Sequence, residues 1–158
     1  MASPDRLDVS AAATAERVRR SNARVFAGYL VLQAVVGIFF WVGLEWSPEV
    51  RELFELTPTN DTVTDAFFLA DLLVGVVGSA AGAWGLWSDA RWSVPVVAFT
   101  AGGLVYPTLF LVAWVARTDT GDACLLIMAP PSIITSSIAW WATAARRAPG
   151  AQEREGGR

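Results

Sequence analysis

Residues 66–87 have the sequence AFFLADLLVGVVGSAAGAWGLW, which is long and apolar enough to cross a bilayer as one helix. The stretch contains a single acidic residue, Asp71. Four glycines follow it, at Gly75, Gly78, Gly82 and Gly85. At about 100° per residue, these five positions fall within a stripe about 80° wide on the helix surface. The pattern therefore predicts a helix-packing face made by the glycines, with the carboxyl of Asp71 at one end of it.

The composition of the whole chain is typical of a membrane protein. Of 158 residues, 54% are hydrophobic and 17% are charged, whereas about a quarter are charged in an ordinary soluble domain. The mean hydropathy is +0.42. All 12 basic residues are arginines, which is typical of a high-GC bacterial genome, and the net charge of -3 does not favour a nucleic-acid partner. We therefore expect the lipid bilayer to surround most of the chain.

Four apolar stretches predict four membrane spans, at about residues 25–44, 65–87, 92–115 and 123–145. In the first outer loop, Ser47 and Pro48 form a helix start, an N-cap followed by proline at the first helical position. The residues after them predict a short helix at the membrane interface. The predicted fold is an all-α membrane protein, a four-helix transmembrane bundle with this interfacial helix.

The two ends of the chain are predicted to be polar cytoplasmic tails. Residues 1–24 are expected to be frayed or partly helical, and residues 146–158 to be disordered. Arginine placement sets the orientation, because cytoplasmic segments carry the excess of basic residues. One side holds Arg6, Arg17, Arg19, Arg20, Arg24, Arg91, Arg146, Arg147, Arg154 and Arg158; the other holds Arg51 and Arg117. We therefore expect a multi-pass protein of the plasma membrane, the inner membrane of a bacterium, with both termini cytoplasmic.

Tryptophan placement agrees with this topology, because indole rings prefer the membrane–water boundary. The outer boundary would hold Trp41, Trp46 and Trp114, and the inner boundary Trp84, Trp87, Trp92, Trp140 and Trp141.

Asp71 is the first candidate for function, since it lies about 9 Å below the outer end of its span. No arginine lies at that depth, and a buried carboxyl without a cationic partner tends to stay protonated. Pro130 and Pro131 free the carbonyls of Leu126 and Ile127 at a similar depth. We expect a neutral Asp71 that donates to one of these carbonyls or to a nearby hydroxyl. The alternative is a purely structural hydrogen bond between helices.

Other polar residues within the spans suggest a small pocket around the acid. The candidate lining residues are Asp71, Tyr106, Ser132, Gln33 and Thr135, with a helix kink at Pro107 as well as at Pro130 and Pro131. Serine and threonine are also common in ordinary contacts between membrane helices. The glycines are expected to serve close packing within the bundle, with homodimerisation as the alternative. On the same helix, Val76 is expected to point towards lipid or a groove.

Several classes of chemistry lack their usual residues in this chain. There is no histidine, which removes the commonest metal ligand and the usual general base near neutral pH. The single cysteine, Cys124, excludes an intrachain disulfide. The acidic first outer loop matches no calcium-loop spacing. We therefore predict no catalytic residue, no metal site and no cofactor.

The four short spans, the aromatic and acidic first outer loop and the acid early in the second span resemble small uncharacterised bacterial four-span integral membrane proteins. This resemblance implies the bundle and no particular activity. A sterol-isomerase-like four-span family uses histidine and glutamate within the membrane. This chain lacks the histidine, so the comparison implies at most a similar bundle with a lipophilic pocket.

Three functions remain open at this point. The first is a non-enzymatic protein that binds a lipophilic small molecule or a membrane partner, a homo-oligomer included, through a pocket around Asp71. The second is a small transport or proton-coupled subunit that uses Asp71. The third is a lipid-modifying membrane enzyme, which the missing histidine and the lack of paired carboxylates within the spans disfavour.

Overall fold

The computed structural model describes residues 4–56 and 62–147, and each regular element in these ranges is a helix. The elements are α1 (Pro4–Trp46), α2 (Pro48–Phe54), α3 (Thr62–Ala70), a π-helical segment (Asp71–Gly78), α4 (Ser79–Trp87), α5 (Ser93–Thr118) and α6 (Asp122–Arg147). The middle three run on without a break and form the second span. Four helices are long and apolar enough to cross a membrane. The predicted all-α four-helix transmembrane bundle is confirmed.

α1 is much longer than the predicted first span. It contains 43 residues, about 65 Å at 1.5 Å per residue, which is twice the hydrocarbon thickness of a bilayer. The helix continues through residues predicted to be frayed or partly helical, and ion pairs at helical spacing explain why. Glu16 pairs with Arg19 at 3.0 Å and with Arg20 at 2.8 Å. Of the predicted C-terminal tail, Arg146 and Arg147 belong to α6, and residues 148–158 lie outside the described residues.

The bundle has two different ends. α1 packs on the second span, the second span on α5, and α5 on α6, while a smaller contact between α6 and α1 closes the ring. One end carries the start of α1, the loop 88–92 and the end of α6, and we call it the arginine-rich end. The other carries α2 and the turn 119–121, and we call it the acidic end. The turn is tight, with Asp119 and Gly121 at positive φ.

A hydrophobic core cluster lies in the half of the bundle next to the arginine-rich end, while Trp41, Leu44, Leu56 and Leu111 are buried towards the other end. The buried members of the cluster are Ala27, Leu30, Ala83, Leu86, Val97, Ala101, Ile138, Ala139 and Ala142. Most are small, and small residues let membrane helices approach closely and gain dispersion contacts.

The π-helical segment changes which side chains of the second span face inwards. A π-helix closes its hydrogen bonds over five residues instead of four, so each residue adds less rotation than in an α-helix. The prediction that Val76 points towards lipid or a groove assumed 100° per residue, and it is wrong. Val76 is buried, and a Cβ added at Gly37 of α1 would lie 3.1 Å from its Cγ2 atom.

Candidate functional site

Asp71 is the first residue of the π-helical segment and lines a cleft near the acidic end of the bundle. The cleft is partly open and has a volume of about 40 Å³. Apart from the carboxyl its walls are almost entirely apolar, and they consist of Phe40, Trp41, Phe54, Leu56, Phe67, Asp71, Pro107, Leu111, Cys124, Ile127 and Met128. All four spans and α2 contribute to it.

Aromatic rings hold the walls of the cleft in place. Phe40 of α1 meets Phe54 of α2 edge to face, with ring centroids 5.0 Å apart. Trp41 meets Phe68 of the second span in the same way, also at 5.0 Å. Such edge-to-face pairs are favourable beyond the area they bury. The rings therefore form a rigid apolar wall on one side of the carboxyl.

α2 covers the acidic end of the cleft. The hydroxyl of Ser47 caps this helix by accepting a bond from the Val50 backbone N–H at 3.2 Å. Its end is tied to α6, because the Cys124 thiol donates to the Phe54 carbonyl at 3.1 Å. The Thr120 hydroxyl donates to the carbonyl of the buried Leu56 at 3.2 Å. A short helix expected at the membrane interface thus also closes one end of the cleft.

The polar neighbour of Asp71 differs from the one expected. The indole of Trp41 lies next to the Asp71 carboxyl. An indole N–H can only donate, so Trp41 offers the carboxyl a hydrogen-bond donor. Within the described residues, no hydrogen bond joins Asp71 to the carbonyls of Leu126 or Ile127, although Ile127 lines the same cleft. The aromatic wall offers a donor in the place where a proline-freed acceptor was predicted.

Hydroxyl groups lie beside the proline pair in α6. Ser132 donates within α6 to the Met128 carbonyl at 2.8 Å. Its hydroxyl also lies 2.6 Å from that of Thr108 in α5, next to Pro107, and 3.0 Å from the Leu104 carbonyl. The prolines of the two helices are therefore accompanied by a hydroxyl pair that joins α5 to α6.

Gln33 and Thr135 belong to a second polar group, deeper in the bundle. The Gln33 amide donates to Ser79 at 2.7 Å and accepts from Thr135 at 2.9 Å, and so joins α1, α4 and α6. Both hydroxyl residues are fully buried. Buried polar groups need such partners, and here every member of the group has one.

The five predicted pocket residues thus occupy different places. Asp71 lies in the cleft, Ser132 in the hydroxyl pair, and Gln33 with Thr135 in the buried amide group. Tyr106 is 75% exposed on the outer surface of the bundle and joins none of them. Pro107 lines the cleft, whereas Pro130 and Pro131 lie beside it in the same turn of α6.

The glycine face lies against α5. A Cβ added at Gly78 would lie 2.5 Å from the Thr100 hydroxyl, and one added at Gly82 would lie 2.9 Å from Val97. At Gly85 it would lie 2.8 Å from the Cβ of Ser93. Gly75, nearest the cleft, has ordinary room, with its closest neighbour 3.9 Å away. The tight contact is therefore confined to the three glycines beyond the acid.

Sequence reasoning missed the aromatic wall. Trp41 was assigned to the outer membrane boundary, yet it is only 7% exposed and faces Asp71. The available signal was the depth of Trp41 in the membrane, since it lies three residues before Leu44, where the first predicted span ends. It places the indole near the depth of an acid six residues inside the second span.

An ion-pair cluster ties three segments together at the opposite, arginine-rich end. Both terminal nitrogens of Arg19 donate to the Asp89 carboxylate, each at 3.0 Å. Arg146 donates to the Ala90 carbonyl at 2.8 Å. The hydrogen bonds from Arg19 lower the pKa of Asp89 below its ordinary value, and burial partly opposes this. The loop 88–92 is thereby held between α1 and α6.

Comparison with known proteins adds no assignment. No family model, no curated protein and no solved structure matches this chain. In the part of the chain that the structure describes, no three acidic, cysteine or histidine side chains are grouped so that they could hold a metal ion. The class that the fold and its apolar helices define is a multi-pass membrane protein.

Proposed function

We propose that this chain is a plasma-membrane protein that binds a lipophilic small molecule in the Asp71 cleft without transforming it. The observation behind this proposal is the isolated carboxyl, next to an indole, in a cleft that is otherwise lined almost entirely by apolar side chains. Small-molecule sites are typically apolar clefts with few polar groups that set the orientation of the ligand.

The size of the cleft restricts the ligand. Drug-sized ligands occupy pockets of about 300 to 1,000 Å³. At about 40 Å³ the cleft is much smaller, so it admits only a narrow end group, and the rest of the ligand would lie outside it. We therefore propose a slender apolar chain with one hydrogen-bonding end group, such as a hydroxyl, that reaches the Asp71 carboxyl.

The experiment compares two probes that differ in one hydroxyl, farnesol and farnesene, by their effect on thermal unfolding of the purified protein. A ligand that binds the folded state raises its stability. Farnesol should stabilise the wild-type protein more than farnesene does, and Asp71→Leu should remove this difference. The control Phe99→Leu changes a side chain that is 68% exposed and away from the cleft. This variant should keep the difference between the two probes. Equal effects of both probes on the wild-type protein would refute the proposal.

The proposed orientation, with both termini in the cytoplasm, is supported by the arginine distribution. It also agrees with the ion-pair cluster, which brings the start of α1, the loop 88–92 and the end of α6 to one side. Single cysteines at Ser10 and Glu52, introduced into a Cys124→Ser background, should react with an impermeant maleimide from opposite sides of the membrane. Reaction from one side would refute the topology.

A second candidate, a small transport or proton-coupled subunit, is favoured by one observation. Asp71 begins a π-helical segment of eight residues, a rare conformation that often occurs at functional sites. In liposomes that contain a pH-sensitive dye, such a protein would carry protons, and Asp71→Asn would fold but stop the flux. If the wild-type protein carries no proton flux, the transport candidate is refuted and the binding proposal remains.

A further inference from the structure

We propose that the arginine-rich end carries a binding site for one anionic phospholipid, on the exposed face of α1. The site consists of a basic cleft for the phosphate, formed by Arg17, Arg20 and Arg24, and of a track for an acyl chain that begins at Gly28. It is separate from the Asp71 cleft and does not depend on the function proposed for it.

The three arginines share one face of α1. Their spacing of three and then four residues places them within about 60° around the helix. They line a single open cleft together with Ala12, Ala13, Glu16, Ser21 and Val25. All three arginines are exposed. The Glu16 carboxylate pairs with Arg20 and Arg19, so the cleft keeps a net positive charge.

The height of this cleft matches the headgroup layer. Arg24 lies immediately before the first span, and its guanidinium carbon is 5.9 Å from the ring centre of Trp87. Trp87 is 65% exposed at the end of α4, where an indole marks the membrane boundary. Arg17 lies about 10 Å further along the helix. The arginines therefore extend across the layer of lipid headgroups, which is about 5 to 8 Å thick on each side.

The same helix face continues into the membrane as an apolar track. Gly28, Val31 and Val35 follow Arg24 at four, seven and eleven residues, which keeps them on one stripe. Both valines are exposed. Nothing lies within 4 Å of the position that a Cβ would take at Gly28. This glycine therefore leaves open space against the helix backbone directly below the arginines, where the upper part of an acyl chain would lie.

Two neighbouring arginines, Arg19 and Arg146, already donate to groups of the protein, so we do not include them in the proposed site. Arg19 is bound to Asp89 and Glu16, and Arg146 to the loop carbonyls. Phosphate groups are well matched to guanidinium donors. Juxtamembrane arginines attract anionic lipids by about 1 kcal/mol each, which corresponds to about fivefold in affinity.

The test uses the purified full chain in neutral detergent, titrated with phosphatidylglycerol and followed by native mass spectrometry. We expect one molecule to bind before others, and Arg17→Gln with Arg24→Gln to weaken this binding by tenfold or more. The matched control, Arg117→Gln with Arg147→Gln, removes the same charge outside the cleft. It should change the affinity for phosphatidylglycerol less than threefold. Equal losses in the two double variants would overturn the proposal, because they would show only general electrostatics.

A second pair of variants tests the acyl track without changing charge. Gly28→Leu fills the open space at this glycine and should weaken phosphatidylglycerol binding severalfold. Gly102→Leu adds the same side chain at another glycine with nothing within 4 Å and should leave binding unchanged. Glycerol 3-phosphate carries the same phosphate chemistry without chains and should not displace the lipid. Displacement by it at similar concentrations, or no effect of Gly28→Leu, would overturn the lipid assignment.

Discussion

The two halves of the bundle are built on different principles. In the half next to the arginine-rich end, glycines of the second span lie against α5, small residues fill the core, and ion pairs close the end. In the half next to the acidic end, large aromatic rings replace the small residues and a cleft remains between the helices. The same second span takes part in both, with α4 in the first half, α3 in the second, and the π-helical segment running from Asp71 in the cleft to Gly78 in the packed contact.

This difference assigns separate tasks to the two halves. Membrane helices gain little from burial of apolar surface as such, so close packing and buried hydrogen bonds must hold them together. The half next to the arginine-rich end supplies both. The acidic half is therefore free to keep open space and a carboxyl, and substitutions there should cost less stability than substitutions in the packed half.

The largest effect is expected at the glycine contact. Gly78→Leu would drive a side chain into Thr100, and overpacking of this kind typically costs about 1 to 3 kcal/mol. Gly102→Leu, which enters open space, is the matched control and should be close to neutral. Unfolding in detergent titrations measures both. Equal stability of the two variants would show that the glycine face does not pack as described.

The buried amide group at the boundary between the halves should come next. Gln33→Leu leaves the hydroxyls of Ser79 and Thr135 without their partner, and hydrogen bonds between membrane helices contribute about 0.6 to 1.7 kcal/mol. The same unfolding measurement should show a loss of about 1 kcal/mol. Ser137→Ala, at an exposed position of α6, serves as the control and should show none. If the Gln33 variant is as stable as the wild-type protein, the buried amide group does not stabilise the fold.

Substitutions of Asp71 should cost less than the glycine substitution, although this residue is central to the cleft. Asp71→Asn keeps the shape and an oxygen that accepts from Trp41, and it should unfold like the wild-type protein. Asp71→Leu loses the acceptor and should cost less than about 1 kcal/mol. A larger loss than that of Gly78→Leu would reverse the comparison between the halves.

The smallest effect is expected at the ion-pair cluster. Because Arg19 lowers the pKa of Asp89, the pair contributes stability above the ordinary aspartate pKa of about 3.9, and this is lost as the pH falls through the lowered value. The carboxylate side chain is 58% exposed, so the contribution is below about 1 kcal/mol. Asp89→Asn should be slightly less stable than the wild-type protein at pH 7, and the two should converge in strong acid. A difference that persists there would assign another role to Asp89.

The number of long apolar helices and the short helix α2 followed from the sequence because each depends on local pattern: apolar length, an N-cap and a proline. The direction of Val76 did not, because a π-helical turn depends on packing against α1 and α5 and leaves no periodic signal. Tyr106 shows the same limit. The depth of Tyr106 in its span could be predicted from the sequence. The direction of its side chain could not, because it depends on how contacts with Val74 and Ser132 rotate α5.

The central claim, that the acidic half holds an accessible cleft between its helices while the interior of the other half is closely packed, can be tested with Cys124. This residue is the only cysteine of the chain and lines the cleft. The comparison is a Cys124→Ser protein that carries Ser79→Cys, at a position with 0% exposure in the packed half. The measurement is the rate of alkylation by N-ethylmaleimide in intact membranes. We predict that Cys124 reacts while the folded protein protects the cysteine at position 79. Equal protection of both, or faster reaction at position 79, would contradict the account.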